Sequence, residues 1–379
     1  MQLPAPRGPL TGFLFARLAR PPHDLGPAPE PAGGPPLGDE DLQLALFACY
    51  ELHYQGFDEV AEDWEWEPSL LAVRRTLERR FEAGLAETVP RPPAVPAGTP
   101  ARMRRALAGL VAAADGGPSL AAFLERRADL ERFREFVVHR SVYHLKEADP
   151  HTWAIPRLRG AAKAALVEIQ ADEYGAGRPG RMHSELFGAT MRGLGLDDSY
   201  GAHVDRVPAV TLATGNVISL FGLHRRHRGA LLGHLAAFEM TSSVPNRRYA
   251  RGLRRLGGDD AACRFYDEHV QADAVHEQIA AHDMCGAFAA EHPGLAADVL
   301  YGAACALALD RLFAEHLLGS WERGVTSLRE AGPRGTARDG TARDGTARDG
   351  TGRDDGIGQD GAGSRGTGRD GTGLAVSGR

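Results

Sequence analysis

The chain has 379 residues, 43% of them hydrophobic, and a formal net charge of −6. This apolar content is enough to bury a sizeable core in a segment of about 300 residues. The negative charge argues against a dedicated nucleic-acid binder, because such proteins normally carry a strong basic excess. We therefore expect a globular protein with no nucleic-acid partner.

Cysteine usage and hydropathy indicate the compartment. The four cysteines are widely spaced and form no C-x-x-C pair, which argues against a disulfide framework and a thiolate zinc site. The longest apolar run, at residues 299–309, is shorter than the roughly 20 residues that span a bilayer. The apolar stretch near the N-terminus is broken too early for a signal peptide. We expect a cytoplasmic protein with no membrane partner.

The two ends of the chain are compositionally biased. Residues 1–36 are rich in Pro and Gly, and the sequence predicts a disordered lead-in there. Residues 329–379 contain a repeated Thr-Ala-Arg-Asp-Gly unit with no apolar face to bury. Such a segment is predicted to be a low-complexity disordered tail, either simply solvated or used to bind a partner.

The middle of the chain has helical periodicity. Residues 37–127 are predicted to form an N-terminal helical accessory region, which a proline-rich linker interrupts near residues 89–100. Residues 128–328 are predicted to form a second, mostly helical domain. The best strand candidate, at residues 207–212, is weakened by Pro208. The predicted fold class is therefore all-α.

One predicted helix carries three metal-binding residue types on one face. His269, Asp273 and His276 lie at i, i+4 and i+7, so they fall within an arc of about 60°. Imidazole, carboxylate and imidazole at this spacing can converge on one or two metal ions. The alternative is a surface face that happens to carry histidines.

Three glutamates point towards the predicted core. Glu147, Glu173 and Glu239 each lie four residues beyond an aromatic or aliphatic residue of the buried stripe of a predicted helix. These helices span about residues 131–148, 156–174 and 229–241. Buried carboxylates are costly unless they are paired or bound to metal. Their occurrence on separate helices indicates a shared buried cation site.

A further candidate ligand, His183, follows a segment rich in Gly and Pro. Residues 175–180 contain three glycines and a proline, which predicts an irregular or mobile segment rather than a helix. A ligand carried there could open a path for metal, oxygen or substrate. The alternative is a plain surface loop with an incidental histidine.

The candidate metal ligands are Glu147, Glu173, His183, Glu239, His269, Asp273 and His276. The carboxylates among them carry a charge that two divalent cations would balance. Without metal, converging carboxylates would repel each other and several would take up protons. Mixed imidazole and carboxylate ligation suits iron or manganese better than a structural zinc site.

These residues resemble the motifs of a known family. The segment Tyr-His-Leu-Lys-Glu-Ala-Asp-Pro-His at residues 143–151, the pair Asp172-Glu173 followed by His183, and His269-x3-Asp273-x2-His276 are similar to those of the haem-oxygenase-like dinuclear iron oxidases. These proteins are also called iron-containing redox enzymes. The resemblance covers about residues 133–321. It implies an up-down helical bundle that binds two Fe(II) ions per chain and uses O2 as co-substrate.

The resemblance also implies roles for the ligands. Glu147, His183 and His276 would favour one iron, and Glu173, His269 and Asp273 the other. Glu239 corresponds to a further, catalytic carboxylate that can shift onto the metal during oxygen activation. Glu51 and His53 in the accessory region are excluded as ligands, because residues two apart on a helix point about 160° apart.

The leading hypothesis is an O2-activating non-haem diiron oxidase or oxygenase that acts on a small amine- or carboxylate-bearing metabolite in specialised metabolism. An external electron donor and a homodimeric state are left open. The rivals are a haem-handling protein and a non-catalytic helical interaction protein with a vestigial metal site. The basic stretch at residues 246–255 is either a solvated helix face or a patch that binds a substrate carboxylate.

Overall fold

A computed structural model describes residues 1–330, apart from residues 32, 94–98, 115 and 118 and the side chains of residues 272–274. Within this part of the chain every regular element is helical, which confirms the predicted all-α class. The weak strand candidate at residues 207–212 is wrong. It leads into a helix whose apolar residues are almost all buried, so helical packing overrides the local β-branched signal.

Five α-helices precede residue 128 in the described part of the chain. They are α1 (Pro9–Leu18), α2 (Glu40–Glu51), α3 (Pro68–Thr88), α4 (Pro100–Ala114) and α5 (Leu120–Arg126). Most of α2 is buried. Asp39 begins this helix by accepting hydrogen bonds from the backbone N–H groups of residues 41 and 42, as helix-capping aspartates do.

The N-terminal segment differs from the expected disordered lead-in, because it contains α1. Leu10, Leu14 and Leu18 recur every four residues and are fully buried. The Asp41 carboxylate accepts hydrogen bonds from the backbone N–H groups of Leu10 and Thr11, both at 2.8 Å, and so caps the helix from α2. The prolines lie at the start of this helix and beyond its end, where they do not interrupt its hydrogen bonds.

The second part of the chain forms a helical bundle. Its helices are α6 (Leu130–His144), α7 (Asp149–Thr152), α8 (Gly160–Glu173), α9 (His183–Gly193), α10 (Ala209–Leu223), α11 (Arg228–Arg255), α12 (Asp260–Gln278), α13 (Cys285–Glu291) and α14 (Ala296–Glu322). A π-helix, Ile279–Met284, joins α12 to α13. The long helices α11 and α14 pack closely. A Cβ atom on Gly233 would overlap the carbonyl of Val299, so glycine is required at this crossing.

The predicted accessory region packs directly on the bundle. Helix α2 contacts α10, α4 contacts α13 and α14, and α5 contacts α11. Buried polar groups join the two parts: Asn216 donates to the side-chain oxygen of Gln43 at 2.8 Å, and Lys146 pairs with Glu51 at 2.7 Å. The described residues therefore belong to one compact unit. The division of the chain into an accessory region and a second domain at residue 127 stays a prediction.

The predicted tail lies outside the described residues, except for Arg329 and Glu330. The backbone N–H of Arg329 donates to the carbonyl of Arg206 at 2.7 Å, and its guanidinium lies 3.1 Å from Glu40. The described helices include none that is both long and apolar enough to cross a membrane.

Candidate metal centre

Four helices and one turn supply the candidate ligands. Glu173 is the last residue of α8, His183 is the first of α9, and Glu239 lies in α11. His269 and His276 both lie in α12, as their spacing predicts. The side chain of Asp273 lies outside the described residues.

Glu147 is not on a helix as predicted. Helix α6 ends at His144, and Glu147 lies in the turn that leads to α7. The next residue, Ala148, has φ 75°, a left-handed conformation that ends a right-handed helix. Gln170 on α8 fixes this turn by donating to the Ala148 carbonyl at 2.9 Å.

The link between Glu173 and His183 is irregular, as predicted. It contains a short 3-10 turn at Gly175–Gly177, and Gly175 has φ 61°. A Cβ atom on Gly175 would lie 2.5 Å from the carbonyl carbon of Arg181, so the close return of the chain requires glycine. This return places His183 Nδ1 2.8 Å from Glu173 Oε2.

The described side chains meet in two groups that share one carboxylate. The first group is Glu147, Glu173, His183 and His269, and the second is Glu173, Glu239 and His276. Within each group, one ligand atom from every residue lies within 4.8 Å of all the others. The structure thus brings together six of the seven candidate ligands, and Glu173 connects the two groups.

The grouping differs from the one that the resemblance implies. His276 lies with Glu239 and Glu173 rather than with Glu147 and His183. His269 lies with Glu147 and His183 instead. The physical reason is that His269 and His276 are two helical turns apart on α12, so each reaches a different end of the carboxylate cluster.

Several atoms in these groups have no hydrogen-bond partner. Glu147 Oε2, His183 Nδ1 and His276 Nδ1 are buried without a hydrogen bond. Carboxylate oxygens lie 2.8 Å from His183 Nδ1 and 3.3 Å from His276 Nδ1, but their orientation does not form one. A buried polar atom left in this state costs free energy. A cation between these oxygen and nitrogen atoms would satisfy them, so the residues fit a metal.

The second ring nitrogen orients two of the histidines. His269 Nδ1 donates a hydrogen bond to the carbonyl of Phe265 at 2.8 Å, which leaves Nε2 as a ligand atom. His276 Nε2 lies 3.0 Å from Asp172 Oδ2, which leaves Nδ1 facing the second group. Metal-binding histidines are commonly held in this way by a carbonyl or a carboxylate.

Nearby charges shift the pKa values of the site. Burial disfavours a charged His276, but Glu239 and Asp172 outweigh it and raise its pKa to about 9. Burial also disfavours a charged Glu147, but His144 and His269 hold the pKa of that carboxyl well below its usual range. Burial, reinforced by the three glutamates of the site, raises the Tyr143 pKa well above 10.0.

Three residues that support the site were missed in the sequence. His144 Nδ1 lies 2.9 Å from Glu147 Oε1, and its position three residues before that glutamate was the available signal. Asp172 directly precedes Glu173, but helical periodicity places its side chain on the exposed face of α8, so the pattern gives no sign of its contact with His276. Gln170 contacts the turn at Ala148, where helical periodicity predicts that the helix continues.

The basic stretch after Glu239 is used for packing. Arg254 pairs with Asp267 at 2.5 Å, and Arg255 donates to the carbonyl of Ala128 at 2.6 Å. Arg248 donates to the hydroxyl of Ser119 at 3.1 Å. These arginines tie α11 to α5 and α12, which favours the structural alternative over a carboxylate-binding patch.

Comparison with known proteins agrees with this geometry. Residues 134–311 match the model of a family described as iron-containing redox enzymes. The chain is also similar to nitrosourea synthase from Streptomyces achromogenes subsp. streptozoticus, with 27% identity over 154 residues. That match covers 40% of this chain and 33% of the relative, so the chain spans about a third of the relative's length. The match confirms the resemblance: over residues 134–311 the chain is similar to the iron-containing redox enzymes.

Proposed function

We propose that the protein is a non-haem diiron enzyme that uses O2 to oxidise or oxygenate a small amine- or carboxylate-bearing metabolite in specialised metabolism. The observation that carries the proposal is the position of Glu173 between two buried groups of imidazole and carboxylate ligands. A bridging carboxylate between two such groups suits a pair of ions better than a single one.

The residues assigned to the two ions follow the observed grouping. Glu147, His183 and His269 would hold one iron, Glu239 and His276 the other, and Glu173 would bridge them. Asp273 lies on α12 between His269 and His276 and is proposed as a further ligand. When bound, two ferrous ions supply the electrons that reduce O2 and thereby oxidise the substrate.

The protein's own groups would control geometry and protons. Asp172 and the Phe265 carbonyl hold two imidazoles in a fixed tautomer. Tyr143 keeps its hydroxyl proton at neutral pH because burial and the three glutamates raise its pKa, so its O–H would serve as a hydrogen-bond donor. Glu239 is proposed as the catalytic carboxylate, because it belongs only to the smaller group, and a movement of its side chain would leave the group around Glu147 in place.

An anaerobic titration with Fe(II), followed by exposure to O2, tests this function. We expect two irons per chain, O2 consumption and a transient visible absorption. A single tightly bound zinc, or a Soret shift on addition of haemin, would contradict the proposal and favour a structural or haem-handling protein. Two bound irons that never consume O2 would instead indicate a vestigial site in an interaction protein.

A further inference from the structure

An open cleft of about 470 Å³ lies where the segment after α2 meets α7 and α8. Its lining includes His53 and Tyr54 from the N-terminal part, Asp149 and Trp153 from the segment after Glu147, and Tyr174. The volume lies within the range that small-molecule sites occupy. The metal ligands do not line it, so it is distinct from the carboxylate cluster.

The lining is aromatic and carries one carboxylate. No Lys or Arg is among the residues that line the cleft. Asp149 accepts a hydrogen bond from the Tyr174 hydroxyl at 2.8 Å, and the ion pairs found among the described residues do not include it. An indole and phenol rings around a carboxylate are the groups that attract an organic cation.

Two cations that contact residues of the cleft lining, Lys146 at Tyr54 and Arg74 at His53, are paired with other acids. Lys146 lies 2.7 Å from Glu51, is buried, and places its ammonium 4.4 Å from the centre of the Tyr54 ring. Arg74 lies 3.3 Å from Glu78. Asp149 lines the cleft and feels the charge of Lys146, but it forms no ion pair of its own among the described residues.

The cleft is connected to the candidate metal centre by hydrogen bonds. Tyr174 directly follows Glu173, and its hydroxyl also contacts the Thr152 hydroxyl at 2.8 Å. Thr152 in turn accepts a hydrogen bond from Gln170 at 2.6 Å, and Gln170 holds the turn that carries Glu147. An occupant of the cleft would therefore contact the same network that positions two candidate ligands.

We propose that the cleft binds a small organic cation, an alkylammonium or alkylguanidinium group, with its charge against Asp149 and its carbon chain against Trp153 and Tyr174. Where this cation is the substrate, the inference rests on the proposed function and narrows the substrate class from amine or carboxylate to the cationic members. Both headgroups combine a positive charge with an alkyl chain, and separate probes for ammonium and guanidinium distinguish them in the experiment.

Binding is best measured on the full-length, metal-free protein with four probes of equal chain length. These are butylguanidinium, butylammonium, butanol and butyrate. The chain has four tryptophans, so the Trp153 indole N–H signal can be assigned in a nitrogen-15 spectrum with Trp153→Phe. We expect the cations to shift this signal and to bind at least about tenfold more tightly than butyrate. The ratio of the two cation affinities identifies the preferred headgroup.

Two variants locate the charge that is responsible. Asp149→Asn should lower the affinity for the cations about tenfold and leave the affinity for butanol unchanged. Glu315→Gln removes one charge from an exposed position on α14 and should change neither the affinity for the cations nor the affinity for butanol. If Asp149→Asn fails to fold, Tyr174→Phe keeps the carboxylate and should retain the preference for cations.

The proposal would be overturned if butyrate bound as tightly as the cations, or if Asp149→Asn bound them like the wild type. Because no metal is present, this outcome is independent of the iron titration. Cation binding without iron binding would reject the diiron function alone, and two bound irons without cation binding would reject this inference alone.

Discussion

His183 Nδ1 lies 2.8 Å from Glu173 Oε2, yet the two atoms form no hydrogen bond. An imidazole next to a carboxylate in a buried site would ordinarily turn to donate a hydrogen bond to it. The glycine-rich return of the chain before His183 fixes the approach of this ring instead. Both atoms are therefore placed as donors of electron pairs to a third group, which we propose is iron.

Loss of one imidazole from the larger group should remove iron without unfolding the protein. His269→Ala deletes a ligand atom near Glu147, and we expect at most one iron per chain with unchanged helical circular dichroism. His282→Ala removes a half-buried histidine, outside both ligand groups, from the neighbouring π-helix and serves as the matched control, with two irons retained. Two irons in His269→Ala would show that this ligand is wrongly assigned.

Asp172 should affect metal affinity through His276 rather than by binding metal itself. Asp172→Asn weakens the acceptor that fixes the imidazole tautomer, and such changes typically cost about 10–100-fold in metal affinity. Competition with a chelator should show this loss for one of the two irons. Glu168→Gln, an exposed change on the same helix, should have no effect. If Asp172→Asn and Glu168→Gln bound iron with equal affinity, Asp172 would not position His276.

The metal-free protein should lose stability as the pH rises through the His276 titration. The folded-state pKa of about 9 lies above the ordinary 6.5, so the charged imidazole stabilises the fold fully below pH 6.5. That contribution is lost as the pH rises through about 9. Urea unfolding of wild type and His276→Gln should therefore give a stability difference that falls between these two pH values. A constant difference would show that His276 is uncharged without metal.

The buried pair of Lys146 and Glu51 should stabilise the contact between the N-terminal helices and the bundle. Tyr200 also donates to Glu51 at 2.5 Å, so the carboxylate is held on both oxygens. Glu51→Gln leaves the Lys146 charge without its counter-ion, which should destabilise the protein by about 3 kcal/mol. Denaturant unfolding measures this loss.

A double variant separates the charge from the packing. Glu51→Leu combined with Lys146→Met should recover most of the stability, because a buried ion pair is often replaceable by apolar side chains. If Glu51→Gln is as stable as the wild type, the pair does not join the two parts of the chain.

The sequence predicts the site best where one helix carries the pattern. The spacing of His269 and His276, and the stripes that end in Glu173 and Glu239, follow from helical periodicity, and the structure brings these residues together. In the accessory region, Glu51 pairs with Lys146 and His53 pairs with Glu65, and their exclusion as metal ligands stays a prediction.

Features that depend on contacts between distant segments were missed. Helix α1 was obscured by the prolines around it, and its cap comes from Asp41 on another helix. The turn at Glu147 depends on a left-handed alanine and on Gln170, neither of which has a periodic signature. The division of the histidines between the two groups depends on where α12 packs.

Anomalous diffraction at the iron absorption edge, from crystals of the protein loaded with Fe(II) without oxygen, tests the central claim most directly. We predict two peaks on opposite sides of the Glu173 carboxylate, one bounded by His183 and His269 and the other by Glu239 and His276. One peak, or peaks at other residues, would contradict it.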